Sequence, residues 1–294
     1  MAGFVEKLLN IDRRWLFLLV FAGVAVPIIM PMGLPVTTTG STRSAFEFID
    51  GLKPGDAVLI SFDYGPSSAP ENDPMAEGIM RQCFTKRIRV VICALYPLGG
   101  LQLANNSLAK VTAEFPHLRY GEDYVNLGFK DGAQAVMKRM GDDIVGAFPV
   151  DVRGTPLAQI PMMKEVRSLH QISVVVTIAT GIIGEWWITQ AHPQSGTPII
   201  VGPTAVGAPK YYAYLNAGQL VGMLSGMKGA AEYEKLLAAR YPDLGRFYRT
   251  TRAFTATKGM DAQTVIHFVI ILFILIGNAA YMSHRAALRK AAAR

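Results

Sequence analysis

Charged residues are scarce in this sequence: Asp, Glu, Lys and Arg make up 17% of 294 residues, against roughly a quarter in an average soluble domain. With 51% hydrophobic residues as well, a disordered or collagen-like chain is excluded. Cysteine is nearly absent. Cys83 and Cys93 are too few for a disulfide framework, and their placement, on a helix and in the strand string RVVICAL, is open to one bridge or to two buried thiols. The histidines His117, His170, His192, His267 and His284 form no i, i+4 pair and join no cysteine at zinc-like spacing, so no metal is expected. No G-x-S-x-G string is present to place a nucleophilic serine on a sharp turn. Gly222–Lys228 (GMLSGMK) resembles a phosphate loop in composition only, because its spacing is wrong. No cofactor is expected.

The charge that is present is unevenly placed. The chain is basic, with 29 Lys and Arg against 22 Asp and Glu. Residues 37–239 nevertheless hold 17 basic and 18 acidic groups, whereas the tail after Met282 carries Arg285, Arg289, Lys290 and Arg294 and no acid. A second basic stretch, Arg240, Arg246, Arg249, Arg252 and Lys258 against Asp243, lies just before the last apolar run. A nucleic-acid-binding domain needs a basic face that meets several phosphates, and a neutral body supplies none, so no nucleic acid partner is expected.

From Trp15 to Thr42 no residue is charged, and Trp15–Pro35 reads WLFLLVFAGVAVPIIMPMGLP. Thr264–Met282 (TVIHFVIILFILIGNAAYM) is a second uncharged run. About 20 apolar residues cross a hydrocarbon core of roughly 30 Å, so both predict transmembrane helices, at 15–35 and 262–283. Pro27, Pro31 and Pro35 recur on one face and predict a kinked or unwound end to the first. The first run is long for a cleaved signal peptide and lacks an A-x-A site, which points to an uncleaved anchor. Basic flanks at Arg13–Arg14 and in the tail 284–294 place the amino-terminal segment 1–14 and the tail in the cytoplasm, the middle domain outside it, and the chain in the cytoplasmic membrane. The basic stretch 240–258, read by the same rule, points the other way. Asn278 and Gly277 are the candidates for helix–helix contact. Trp15 at one boundary, with Phe247, Tyr248, Arg246, Arg249 and Arg252 in the juxtamembrane segment 241–261, are the candidates for contact with membrane lipids.

After a polar linker at 36–44, residues 45–240 alternate strand and helix patterns. Strands are expected at Ala57–Phe62, Ile88–Leu95, Asp123–Leu127, Ile172–Ala179 and Pro198–Val201, mostly as continuous apolar runs suited to parallel strands covered on both faces. Helices are expected at Met75–Lys86, Gly100–Phe115, Asp131–Ile144, Met162–His170, Gly181–Ala191 and Lys210–Arg240. The pattern defines a doubly wound, Rossmann- or flavodoxin-like α/β fold with a mostly parallel sheet, inserted between the two membrane helices. Such sheets bind ligands beyond the carboxyl ends of their strands. The candidate ligand-binding residues are therefore Asp63, Tyr64, Tyr96, Asn126, Thr180, Glu185 and Thr204, with Lys130 beside Asn126, and Asp63 with Glu185 as a conceivable carboxylate pair. Acids at strand ends are equally common as helix caps, and no residue is assigned a catalytic role.

The strings Tyr120–Lys130 (YGEDYVNLGFK) and Met227–Leu237 (MKGAAEYEKLL) resemble those of an uncharacterised family of bacterial membrane proteins with two transmembrane helices flanking an α/β domain. The resemblance implies a bacterial membrane setting and no activity. The combined expectation is a structural protein whose α/β domain self-associates into a homo-oligomer, alone or with a second membrane protein. The alternative is a small-ligand receptor or enzyme working in the strand-end crevice.

Overall fold

The computed structural model describes residues 12–251 and 254–292, apart from the side chains of 248–251, 284, 287, 288 and 290–292. The chain divides into two units, Val36–Ala256 and Met1–Pro35 with Thr257–Arg294.

In chain order the elements are α1 (Arg13–Ile29), α2 (Gly40–Gly51), β1 (Ala57–Asp63), α3 (Ala69–Thr85), β2 (Arg89–Ala94), α4 (Gly100–Thr112), β3 (Tyr124–Phe129), α5 (Ala133–Asp142), β4 (Val174–Ala179), α6 (Ile183–Trp186), β5 (Ile199–Pro203), α7 (Ala208–Asn216), β6 (Gly222–Met223), α8 (Gly226–Arg240), α9 (Pro242–Thr251) and α10 (Thr255–Ala292). A π turn, Trp187–Ala191, and a short helical turn, His192–Ser195, extend α6.

The larger unit is an α/β domain on one six-stranded sheet in the order β3-β2-β1-β4-β5-β6, every pairing parallel. Each residue of β1 and β4 is buried, as expected for continuous apolar runs covered on both faces. The order reverses between β1 and β4, which makes their carboxyl ends the topological switch point.

Three expectations need correction here. The helix expected over Lys210–Arg240 is interrupted by β6, a strand of two residues too short to carry a pattern of its own. The helix expected at Met162–His170 is reduced to Pro161–Glu165 and the 3-10 turn Leu169–Gln171. The linker expected at 36–44 overlaps α2, whose buried Thr42, Ala45, Phe46 and Ile49 follow helical spacing although the string opens with polar residues. α2 lies on β6 so closely that a Cβ on Gly222 would fall 2.5 Å from the Ala45 backbone. At the other side of the sheet, the Val152 N–H donates to the Asn126 carbonyl of β3 at 3.0 Å.

Both cysteines are buried free thiols, and burial pushes Cys83 up to about 12. Thr39 and Ala256, near the two ends of this unit, are held by acids of α8. The Thr39 N–H and hydroxyl donate to Glu232 Oε2 at 3.0 and 2.7 Å, and the Ala256 N–H donates to Glu234 Oε1 at 3.1 Å.

In the smaller unit the transmembrane helix expected at 15–35 is corrected to the 17 residues of α1, about 26 Å at 1.5 Å per residue. Among the described residues only α10, over Thr255–Ser283, is long and apolar enough to cross a membrane. Pro27 is tolerated inside α1, but the chain leaves the helix before Pro31, where a second missing donor would fall. The freed backbone finds a partner in α10: the buried Asp261 carboxylate accepts the N–H groups of Met32, Gly33 and Leu34 at 2.9, 2.8 and 2.9 Å. Gly23 lies against Val265, Ile266 and Val269, with room for a Cβ 3.6 to 3.9 Å from each. Residues 32–34 meet Asp261 while Gly23 meets residues further along α10, so the two helices run antiparallel. Gly277 and Asn278, expected at a helix–helix contact, are exposed, and no side chain lies within 4 Å of a Cβ on Gly277.

Asp261→Ala removes the shared acceptor of three amides. Residue-resolved hydrogen exchange is expected to speed up roughly 10- to 100-fold at residues 32–34, as the loss of about 1–3 kcal/mol of local protection implies.

Candidate functional site

At the carboxyl edge of the sheet an open cleft of about 690 Å³ is bounded by three loops. Leu95, Tyr96 and Pro97 after β2 form one wall, Asp131–Ala135 at the start of α5 a second, and Thr180–Ile183 with Trp186 the third. Gly132 precedes α5 at φ +85°, and Gly181 turns the β4 loop at φ +68°, conformations that cost a glycine little. The helix dipole of α5 brings partial positive charge to a cleft otherwise lined largely by apolar and aromatic groups. That lining suits an apolar or aromatic molecule with one polar group.

Beneath this cleft lies Asp63, fully buried at the end of β1. Its Oδ1 accepts from the Ser61 hydroxyl at 2.8 Å and the Leu95 N–H at 3.1 Å. Its Oδ2 accepts from the Thr177 hydroxyl and the Trp187 indole N–H, both at 2.9 Å. One carboxylate thus joins β1, the loop after β2, β4 and the π turn after α6. Trp187 opens the π turn with its indole on Asp63, while Trp186, one position earlier and about 100° round the helix, lines the cleft. Desolvation raises the Asp63 pKa to about 6, outweighing the four donors that favour its ionised form.

Of the seven candidate residues, the cleft is lined by Tyr96 and Thr180. Asp63 is sealed under it. Tyr64 is buried, donating to Asp73 of α3 at 2.6 Å and stacked on Phe62. Asn126 is buried in β3, where its amide donates to Asn105 and its oxygen accepts the Gly128 N–H at 2.9 Å beside a break in strand register. Glu185 does not pair with Asp63: it forms an ion pair with Lys210 of α7 at 2.6 Å. Thr204 caps a turn, accepting the Gly207 N–H at 3.3 Å. Lys130 is exposed. The α5 wall and Trp186 were not among the candidates, although Asp131-Gly132 ahead of a helical pattern is a turn signal that marks that wall. Gly184 leaves room for Tyr211, whose hydroxyl would lie 2.5 Å from a Cβ there.

Of the membrane-interface candidates, Trp15, Arg246 and Phe247 are exposed. Tyr248 and Arg249 lie on α9 with side chains outside the described set, and Arg252 lies outside the described residues altogether. No group of three or more His, Cys, Asp or Glu able to hold a metal ion occurs among the described residues. No protein-family model, curated protein or solved structure matches the chain.

The folded state holds the Asp63 proton to higher pH than the unfolded chain does. This group's stabilising contribution is therefore complete below about pH 4 and is lost as pH rises through about 6, by on the order of 3 kcal/mol. Denaturant unfolding across pH 4–7 is expected to show that decline in the wild type and not in Asp63→Asn.

Proposed function

We propose that this chain is a membrane-anchored structural protein whose α/β domain assembles with further copies in the membrane plane. α10 crosses the bilayer, α1 with the chain that follows it is the second membrane segment, and the α/β domain lies outside the cytoplasm. The antiparallel course of α1 and α10 supports both termini on one side, and the basic tail supports the cytoplasmic side. The observation that carries the assembly reading is the engagement of Asp63, Tyr64, Asn126, Glu185 and Thr204 in internal bonds. The strand-end polar groups serve the fold, which leaves contact surfaces as the domain's main outward feature. On the flank beside β3, Val150 and Val152 stand exposed on a body with almost no net charge, which favours association. Native mass measurement in mild detergent is expected to show a homo-oligomer, shifted toward monomer by Val150→Glu with Val152→Glu. A strictly monomeric wild type overturns the reading.

The cleft itself favours a second reading, a receptor for a small molecule with an apolar body. Ala135 is exposed on the α5 wall, so Ala135→Trp fills the cleft without entering the core. Native mass spectrometry is then expected to show a small molecule carried by the wild type and lost from this variant.

A further inference from the structure

The loop tips at the two edges of the sheet differ in charge, although Glu71, Glu185, Lys210 and Lys228 stand in the first turns of the helices at the carboxyl edge. The loops that follow β1, β2, β4, β5 and β6, at 64–68, 95–99, 180–182, 204–207 and 224–225, contain no Asp, Glu, Lys or Arg; only the loop after β3 does, with Lys130 and Asp131. At the opposite edge, four of the six connections leading into strands are charged, through residues such as Lys53, Asp56, Lys86, Arg87, Arg119 and Arg167. The carboxyl edge also displays apolar tips: Val206 is 91% exposed, Leu98 71% and Ile182 52%, each from a different loop. Tyr96 and Trp186, half-buried between these tips, are the residue types that collect where hydrocarbon meets water. Charge at this edge is carried by the helices, with Glu71 accepting the Ala205 N–H and Lys210 paired with Glu185, and the loop tips themselves are left apolar or neutral.

From these features we infer that the carboxyl edge of the α/β domain rests on the lipid surface, with Leu98, Ile182 and Val206 dipping into it. Lipid is favoured over a protein partner by the route of the chain. Thr39 is held by Glu232, and the Thr37 carbonyl accepts from Lys228 at 3.4 Å in the first turn of α8, a helix that begins at the carboxyl edge directly after β6. The connection to the amino-terminal apolar segment therefore leaves the domain by the carboxyl edge. The cleft opens at this same edge, so any molecule it takes arrives from the interface, which selects amphiphiles over solutes confined to water. The inference rests on the membrane anchoring proposed above.

Because Cys83 and Cys93 are buried, a single introduced cysteine is labelled selectively. Full-length protein in phosphatidylcholine vesicles, labelled with an environment-sensitive fluorophore at Leu98→Cys, Val206→Cys, Lys53→Cys or Ile271→Cys, is challenged with acyl-chain nitroxide lipid and, separately, with iodide. The expected result is lipid quenching at Leu98, Val206 and Ile271, at least threefold stronger than at Lys53. Quenching at Ile271 without quenching at Leu98 and Val206 overturns the inference and leaves the anchoring intact. Absence of lipid quenching at Ile271 overturns the anchoring, and this inference with it. Labels at Leu98 and Val206 shielded from both quenchers would show a second copy or another protein on this edge, which also overturns it.

Discussion

The α/β domain depends on a single buried carboxylate. The sheet order reverses between β1 and β4, which leaves a crevice beyond their carboxyl ends where the parallel ladder that joins the two strands stops at Asp63 and Ala179. Asp63 joins the segments there through four donors, the farthest being Trp187. The arrangement is demanding because an acid without water is stable only while its donors stay in place, so each partner constrains the rest. Leu95 and Trp186, next to two of those donors, form part of the cleft, whose shape therefore follows from how Asp63 is satisfied.

This explains which parts of the molecule could be read from the sequence. β1, β2, β4 and β5 announce themselves as apolar β-branched runs because they are buried on both sides, whereas β3, with Asn126 and Gly128 in it, gives a weaker pattern. β6 has two residues and no such run, and α2 hides its apolar stripe among Ser, Thr and Gly. The strand-end rule located Tyr96 and Thr180, since it needs only the order of elements. It could not give the role of Asp63, because the indole that donates to the carboxylate comes from a residue 124 positions away. Glu185 was a plausible partner for Asp63 until α7 placed Lys210 beside it. The Trp15–Pro35 run gave the right composition for a membrane segment but the wrong conformation past Ile29. Its proline spacing indicated the break, while the acid that captures the freed amides, Asp261, lies far along the chain.

Acids also secure the chain where it joins the two units. Within the α/β domain Glu232 and Glu234 hold Thr39 and Ala256, and within the other unit Asp261 holds residues 32–34. In each case a carboxylate accepts from backbone N–H groups that no helix or strand would otherwise satisfy. In a chain this poor in charge, these acids satisfy backbone groups that water would otherwise have to reach.

At the two sides of the sheet, α2 packs close on β6 and the Val152 amide takes the Asn126 carbonyl of β3. A strand adding at β3 would have to displace that amide first, which works against the edge-to-edge fusion that unprotected sheets undergo.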